Sequence, residues 1–146
     1  MINIAVVGAK GYAGEELIKI LLKHSKVKII SLSGRMDGKP KHICEMYPYL
    51  EGKLDIFCED IDEKKIAENA DVIFTALPHS VSMEIVSKFI TLGKKVIDLS
   101  ADFRLKDSVV YEKWYRVKHI NPKLLKKAVY GLCELYRKKI KKATLI

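Results

Sequence analysis

The sequence predicts an α/β protein built on a doubly wound parallel sheet. Short, nearly continuous apolar runs, typical of strands buried on both faces, alternate with segments whose apolar residues recur at helical spacing. This alternation favours right-handed crossovers and parallel strand pairing. The 146 residues, 49% of them hydrophobic, can bury one sizeable core but cannot hold a second full domain.

The first elements follow one another in a regular order. The first strand, Ile2–Val7, is almost entirely apolar and ends at Gly8. In the next segment, Glu15–Ser25, leucine and isoleucine recur at helical spacing, and glutamates in the first turn suit the helix dipole. The second strand is Val27–Ser33. We expect residues 34–53, which contain two prolines and three glycines, to form a long irregular connection.

Strands and helices keep alternating up to residue 99. The predicted elements are a strand at Leu54–Cys58, a helix at Asp62–Asn69, a strand at Val72–Ala76, a helix at His79–Leu92 and a strand at Lys95–Leu99. Beyond Ser100 the pattern loosens, and only two helices are predicted, Pro122–Lys127 and the basic Glu134–Lys142. Residues 143–146 begin what reads as another buried strand. We therefore expect the chain to be part of a longer one, the alternative being a short edge strand at a natural terminus.

Composition narrows the classes of function. The formal net charge is +9, but the 27 lysines and arginines are spread along the chain, which is typical of solvated helix faces rather than of a nucleic-acid interface. No run of about 18 apolar residues occurs, and the N-terminus enters a strand without a secretory signal. We therefore expect neither a membrane protein nor a secreted one.

The three cysteines predict no disulfide framework and no zinc site. Cys44, Cys58 and Cys133 are far apart, and no C-x-x-C pair is present. None has an obvious activating neighbour, so we expect a buried or inert thiol at each position. A reducing cytoplasm fits this usage, and we expect no bound metal.

A glycine-rich turn follows the first strand. Gly8, Gly11 and Gly14 form a G-x-x-G-x-x-G pattern directly before the first helix. One glycine permits the tight turn, one lets a pyrophosphate approach bare backbone, and one lets the helix pack closely on the strand. The usual fingerprint is G-x-G-x-x-G, so a turn that only connects strand and helix is the alternative. The pattern predicts a dinucleotide site.

The end of the second strand predicts which dinucleotide binds. Ser33 and Arg35 lie where a doubly wound fold meets the adenosine ribose. An arginine there suits a 2′-phosphate through charge-assisted hydrogen bonds, whereas an acidic residue suits the free 2′-hydroxyl of NAD. The two residues therefore favour NADP. Asp37 is the counter-evidence, because a small loop shift would bring its carboxylate to the ribose.

Polar residues also follow the later strands. The loop Leu77-Pro78-His79-Ser80 is expected to lie across the switch point of the sheet from the glycine turn and to touch the nicotinamide half of a cofactor. Alternatively, it only ends a strand and starts a helix. After the fifth strand, Arg104 can bind a phosphate or carboxylate, and Ser100 can contact the cofactor. A surface ion pair between Asp102 and Arg104 is the structural alternative.

Four segments of the chain, taken in order, carry a family resemblance. They are Gly11-Tyr12-Ala13-Gly14-Glu15-Glu16-Leu17, Ala76-Leu77-Pro78-His79, Val96-Ile97-Asp98-Leu99-Ser100-Ala101-Asp102-Phe103-Arg104-Leu105, and Ala128-Val129-Tyr130-Gly131-Leu132 with Glu134-Leu135. Together they resemble N-acetyl-gamma-glutamyl-phosphate reductase over essentially the whole chain. That family reduces an acyl phosphate to a semialdehyde in arginine biosynthesis, with NADPH and a cysteine that forms a thioester. Its N-terminal half is a Rossmann domain.

The resemblance implies a role for each part of the site. The pyrophosphate would face the glycine turn, the 2′-phosphate the end of the second strand, and the nicotinamide the loop after the fourth strand. The implied cofactor residues are Gly8, Lys10, Gly11, Tyr12, Ala13, Gly14, Ser33, Arg35, Leu77, Pro78 and Ser100, and the implied residue for the acyl-phosphate substrate is Arg104.

The nucleophile of that family lies in an Asn-Pro-Gly-Cys-Tyr-Pro segment just after the strand that begins at Ala143. We therefore expect no catalytic residue in this chain. Residues 1–146 would be an NADP-binding Rossmann domain that ends before the catalytic and dimerisation domain. The full-length family member is expected to be a homo-oligomer.

The sequence departs from the family at three positions. Ser80 and Arg116 stand where glycine is usual, and Cys133 replaces a proline that restrains the backbone before the last helix. Other interpretations stay open. An aspartate-semialdehyde dehydrogenase shares the fold and the thioester chemistry, and a stand-alone nucleotide-binding or assembly module needs no nucleophile. Nucleic-acid binding rests on charge alone and predicts steeply salt-dependent affinity for DNA.

Overall fold

Six strands form one sheet in the computed structural model, which describes residues 1–146. The strands are β1 (Ile2–Val7), β2 (Val27–Ser33), β3 (Lys41–His42), β4 (Phe57–Glu59), β5 (Val72–Thr75) and β6 (Lys95–Asp98). The helices are α1 (Tyr12–Leu22), α2 (Ile43–Met46), α3 (Glu63–Asn69), α4 (Val81–Thr91), α5 (Ser108–Tyr115), α6 (Pro122–Lys127) and α7 (Cys133–Ile140). A 3₁₀ turn spans Pro48–Leu50.

The strand order is β3-β4-β2-β1-β5-β6. From β1 the chain builds the sheet outward on one side through β2 and β4, and then returns to the other side of β1 to add β5 and β6. All these pairs are parallel. The order therefore reverses between β1 and β5, and such a switch point is where doubly wound sheets bind their ligands.

The register brings the carboxyl ends of four strands into one row. Val7, the last residue of β1, lies opposite Ser33 of β2 and also opposite Thr75 of β5. Thr75 lies opposite Asp98 of β6. Loops that leave these strands therefore start from neighbouring points on one edge of the sheet.

Both faces of β1 are buried, as its nearly continuous apolar sequence predicts. Ala5 and Val7 belong to a core cluster that contains residues of α3, α4 and α6. Ile4 and Val6 point to the opposite face and join a second cluster with residues of α1 and α2. Helices thus cover both faces, and the predicted doubly wound architecture is confirmed.

The prediction for residues 34–53 was wrong. This connection contains β3, α2 and the 3₁₀ turn, and β3 pairs antiparallel with β4, so the sheet is mixed rather than purely parallel. Local capping explains α2. The ring of His42 accepts from the N–H of Cys44, while the side chain of Glu45 accepts from the N–H of His42.

Other differences concern the second half of the chain and the element bounds. The helix α5 was not predicted, because its segment mixes exposed apolar and charged residues. Residues 144–146 pair parallel with β6, through a bridge between Leu145 and Val96 and three backbone hydrogen bonds, so the strand expected at residues 143–146 is present but short. The helix α1 begins at Tyr12 rather than Glu15, and α4 begins at Val81 rather than His79.

Two of the three positions at which the sequence departs from the family have a strained backbone. Arg116 is the residue after α5 and adopts the left-handed conformation, with φ 56° and ψ 28°. Ser80, before α4, has φ 70°. Glycine reaches positive φ without the Cβ clash that other residues suffer, which explains why glycine is usual at both places. Cys133 is the first residue of α7, where proline is well tolerated.

We expect Arg116→Gly to stabilise the fold by about 1 kcal/mol, because it removes the penalty of the left-handed conformation. Urea unfolding followed by circular dichroism measures the change. Lys118→Gly is the matched control, since Lys118 is exposed and does not have positive φ. The control should lower stability slightly through chain entropy. A loss of stability in both variants would contradict the assignment.

Candidate functional site

The glycine turn begins at Gly8, which follows β1 with φ +98°. A Cβ added there would lie 2.3 Å from the carbonyl oxygen of Ala76, the residue after β5. The turn also receives support from β2, because the N–H groups of Gly8 and Ala9 both donate to the carbonyl of Ser33, at 2.7 and 3.0 Å. Gly8 therefore lets the ends of three strands meet.

Gly14 has a different role from Gly8. It lies in the first turn of α1, and a Cβ there would be 2.2 Å from the carbonyl oxygen of Gly8. Because glycine has no Cβ, α1 can pack directly on the turn at this position. Gly11 is less constrained, since a Cβ there would meet only the Gly8 oxygen, at 3.6 Å. Packing within the protein therefore explains why Gly8 and Gly14 carry no side chain, whereas it does not require glycine at position 11.

The N-terminus of α1 is open. Gly11 is its N-cap, and no side chain caps the helix. The N–H groups of Tyr12, Ala13 and Gly14 make no hydrogen bond with the protein, and the side chain of Tyr12 is 91% exposed. Free N–H groups and the positive end of the helix dipole form an anion site at this point. A pyrophosphate is an anion of suitable chemistry.

The long connection after β2 holds the glycine turn in place. The hydroxyl of Tyr47 donates to the carbonyl of Ala9 at 3.0 Å. Lys10 Nζ donates to the carbonyl of Arg35 at 3.0 Å, so Lys10 links the turn to the loop that follows β2. Neither contact was predicted from the sequence, because both join residues far apart in the chain.

Arg35 lies next to this turn and is 90% exposed. Its Nε donates to Asp37 Oδ1 at 3.0 Å. The loop is shaped by Asp60, whose carboxylate accepts from the N–H groups of Met36 at 2.7 Å and Gly38 at 2.6 Å. These backbone hydrogen bonds lower the pKa of Asp60. Asp60 follows β4 directly, and its position at the carboxyl edge of the sheet is the sequence feature that could have identified it as a site residue.

Ser33 is placed differently from Arg35. Its side chain is 2% exposed, and Oγ is a buried polar atom without a hydrogen-bond partner. Buried hydroxyls normally have partners. The unpaired Oγ lies at the carboxyl end of β2, where the ribose binds in doubly wound folds. A polar ligand at this edge would give Ser33 Oγ a hydrogen-bond partner, so the residues present fit a bound dinucleotide.

The predicted nicotinamide loop is anchored by Asp102. Between β5 and α4, Leu77 is half-buried and Pro78 is exposed. Asp102 is fully buried, and its carboxylate accepts from the N–H of Ser80 at 3.0 Å and from the N–H of Met83 at 2.9 Å. It therefore caps α4 in place of the Ser80 side chain, which makes no capping bond.

Asp102 also accepts from the hydroxyl of Tyr111 at 2.6 Å, and burial together with this bond raises the pKa of Tyr111. His119 Nε2 lies 2.9 Å from the carbonyl oxygen of Asp102, and its Nδ1 lies 3.1 Å from the N–H of Asn121. One nitrogen must donate and the other accept, so the ring is neutral. Burial lowers its pKa. The alternative of a surface pair between Asp102 and Arg104 was wrong.

Ser100 belongs to a neighbouring polar network centred on Asp98. The carboxylate accepts from Thr75 Oγ1 at 2.7 Å, from Ser82 Oγ at 2.6 Å and from Ser100 Oγ at 2.6 Å. Ser100 Oγ also accepts from the N–H of Asp102 at 3.1 Å. The hydroxyl of Ser100 therefore holds the turn after β6, and its contact with a cofactor stays a prediction.

Arg104 is exposed beside a cavity of about 410 Å³ at the carboxyl end of β6. The walls are mainly apolar and include Phe103, Tyr130 and Leu132. No carboxylate pairs with the guanidinium. The arginine can therefore offer its full charge to an anionic group that enters the cavity.

The three thiols occupy different environments. Cys58 is buried, and burial raises the pKa of its thiol to about 11. Cys44 is half-buried and donates weakly to the carbonyl of Leu54. Cys133 is exposed, so of the expected buried or inert thiol only the inert one stays a prediction there. Cys58 is therefore poorly suited to form the thiolate that nucleophilic chemistry needs.

Comparison with known sequences decides the family. The sequence model described as "Semialdehyde dehydrogenase, NAD binding domain" matches residues 3–143. The chain belongs to the semialdehyde dehydrogenase family. The matched region is the part of the semialdehyde dehydrogenases that binds the nicotinamide dinucleotide, in agreement with the open helix terminus and the glycine turn.

Two relatives within this family confirm the resemblance carried by the four sequence segments. The N-acetyl-gamma-glutamyl-phosphate reductase of Halothermothrix orenii is 46% identical over 146 residues, which are 100% of this chain and 42% of the relative. The enzyme of the same name from Geobacter sulfurreducens is 47% identical over 147 residues, with the same shares. The chain thus spans about 42% of the length of these relatives.

A solved structure confirms the fold of this semialdehyde dehydrogenase domain. Aspartate semialdehyde dehydrogenase with NADP from Candida albicans superposes with a TM-score of 0.65 at 22% identity. The match covers 74% of this chain and 32% of that structure. No helix of the present structure has the length and apolar character needed to cross a membrane.

Proposed function

We propose that this chain supplies the cofactor-binding part of an NADPH-dependent enzyme that reduces N-acetyl-gamma-glutamyl phosphate to the semialdehyde in arginine biosynthesis. The observation that carries the proposal is the open N-terminus of α1, reached through a turn in which Cβ atoms at Gly8 and Gly14 would meet backbone. Identities of 46% and 47% to two reductases of that name, over the full chain, support the substrate class.

Each part of the row at the carboxyl edge has its own task in this proposal. The N–H groups of Tyr12, Ala13 and Gly14 bind the pyrophosphate, with Gly8 and Gly11 shaping the turn and Lys10 fixing it to the next loop. When bound, NADPH supplies the hydride. The loop at Leu77 and Pro78, held by Asp102, positions the nicotinamide side.

Arg104 is proposed to bind the acyl-phosphate substrate through its unpaired guanidinium. The side chain of Ser100 orders the turn that presents Arg104, through its bonds to Asp98 and Asp102. We place no catalytic nucleophile among residues 1–146. Cys58 is buried with a raised pKa, and the thiol that would form a thioester is proposed to come from outside these residues.

Aspartate-semialdehyde dehydrogenase is the rival within the same family. The likeness to the Candida albicans structure, at 22% identity, concerns the fold alone. The substrate proposal instead follows the relatives at 46% and 47% identity. Reductive dephosphorylation of an acyl phosphate by residues 1–146 alone would contradict the placement of the nucleophile.

Arg35 is proposed to select NADP by binding its 2′-phosphate. We expect isothermal titration of the purified chain to show tighter binding of NADPH than of NADH. Arg35→Ala should weaken NADPH binding about tenfold, because one charge-assisted contact is lost, and should leave NADH binding nearly unchanged.

Arg137→Ala is the matched control for the titration. Arg137 is exposed on α7, so this variant removes the same charge away from the turn. Both affinities should stay within about twofold of the original. Equal binding of NADPH and NADH by the unmodified chain would overturn the assignment of Arg35, and binding of neither would overturn the proposed function.

A further inference from the structure

The guanidinium proposed for the 2′-phosphate already has a partner. Arg35 Nε donates to Asp37 Oδ1 at 3.0 Å, and the two side chains are 90% and 74% exposed. An exposed pair contributes little net free energy, so a stronger anion can displace the carboxylate. The effect of Asp37 on binding then depends on whether its carboxylate can move away.

The backbone on both sides of Asp37 is fixed. Asp60 accepts from the N–H of Met36 at 2.7 Å and from the N–H of Gly38 at 2.6 Å. Asp37 itself has φ 53°, a conformation that few residues adopt without support. Because the carboxylate of Asp60 ties down both neighbours, the backbone at Asp37 keeps its carboxylate within reach of the arginine when a ligand arrives.

We infer that Asp37 is a second residue that determines cofactor specificity, opposing NADPH and supporting NADH; this rests on the proposed function. A 2′-phosphate on Arg35 would bring its negative charge next to the carboxylate, and like charges repel. The free 2′-hydroxyl of NADH can instead donate a hydrogen bond to that carboxylate. Arg35 and Asp37 thus offer a cation to one cofactor and an acceptor to the other.

With both residues present, the chain is expected to prefer NADPH over NADH modestly and to bind both cofactors. Asp37→Asn keeps the shape of the side chain, removes its charge, and places at φ 53° a residue that tolerates this conformation. At low ionic strength the Kd of NADPH should fall about three- to tenfold. The Kd of NADH should not fall. The ratio of the two constants therefore shifts toward NADPH.

Glu68→Gln is the matched control for this experiment. Glu68 is exposed near the end of α3, close to the amino end of β5 and thus at the opposite edge of the sheet. The control removes the same charge and should leave the ratio of the two Kd values unchanged. Isothermal titration of both variants with NADPH and NADH gives all the constants needed.

An unchanged ratio in Asp37→Asn, or weaker NADPH binding, overturns the inference. The proposed role of Arg35 is tested by a separate result. If the original chain prefers NADPH, and Arg35→Ala removes that preference while Asp37→Asn leaves the ratio unaltered, only the role of Asp37 is wrong. If the original chain binds neither cofactor, the proposed function and this inference are both wrong.

Discussion

Gly8→Ala is expected to destabilise the fold by about 3–5 kcal/mol, the largest effect among single substitutions in the glycine turn. The new Cβ would lie 2.3 Å from the carbonyl oxygen of Ala76, and φ +98° is strained for any residue with a side chain. The clashing atom belongs to the backbone, so relief requires β1 and β5 to separate at their carboxyl ends. Urea unfolding followed by circular dichroism measures the loss.

Gly93 provides a control that separates the clash from the backbone strain. It has φ +75°, but a Cβ there would meet nothing within 4 Å. Gly93→Ala should therefore cost only about 1–2 kcal/mol, the penalty of positive φ. Equal losses in the two variants would show that the turn does not pack against the end of β5 as described.

Asp102→Asn is expected to cost about 2–4 kcal/mol. The buried carboxylate uses Oδ1 for the N–H of Ser80 and the hydroxyl of Tyr111, and Oδ2 for the N–H of Met83. An amide has only one oxygen, so its NH₂ group would face a donor at the second position. The loss should appear as a lower midpoint of urea unfolding.

Asp107→Asn makes the same chemical change at a site where it should be harmless. Asp107 caps α5 through a single oxygen, which accepts from the N–H groups of Val109 and Val110. Asparagine caps a helix about as well as aspartate, so the change should stay within about 0.5 kcal/mol. A comparable small effect for Asp102→Asn would contradict its role as the buried anchor of α4.

The central part of the fold was predictable because its sequence signals are local. Buried strands such as β1 and β2 are nearly continuous apolar runs, and the glycine turn between β1 and α1 has its steric cause within a few residues. The contact of Gly8 with Ala76 is the exception, since it depends on β5 lying next to β1.

The missed features depend on contacts between distant parts of the chain. Asp60 shapes the loop around Arg35 from the end of β4, and Asp102 caps α4 from the loop after β6. Neither carboxylate has a neighbour in sequence that reveals its partner. The helix α2 in the connection after β2 was not predicted, because its N-cap is His42, a residue type that is uncommon at this position. Ser33 was predicted to contact the cofactor at the ribose end, and the burial of its unpaired hydroxyl has no signal in the local sequence.

The open N-terminus of α1 is proposed to bind the pyrophosphate of a nicotinamide dinucleotide. Titration of the ¹⁵N-labelled chain with NADPH, followed by amide chemical shifts, tests it most directly. We expect saturable changes that are largest at the amides of Tyr12, Ala13 and Gly14, whose N–H groups have no partner in the protein. Saturable binding that leaves these three amides unshifted would contradict it.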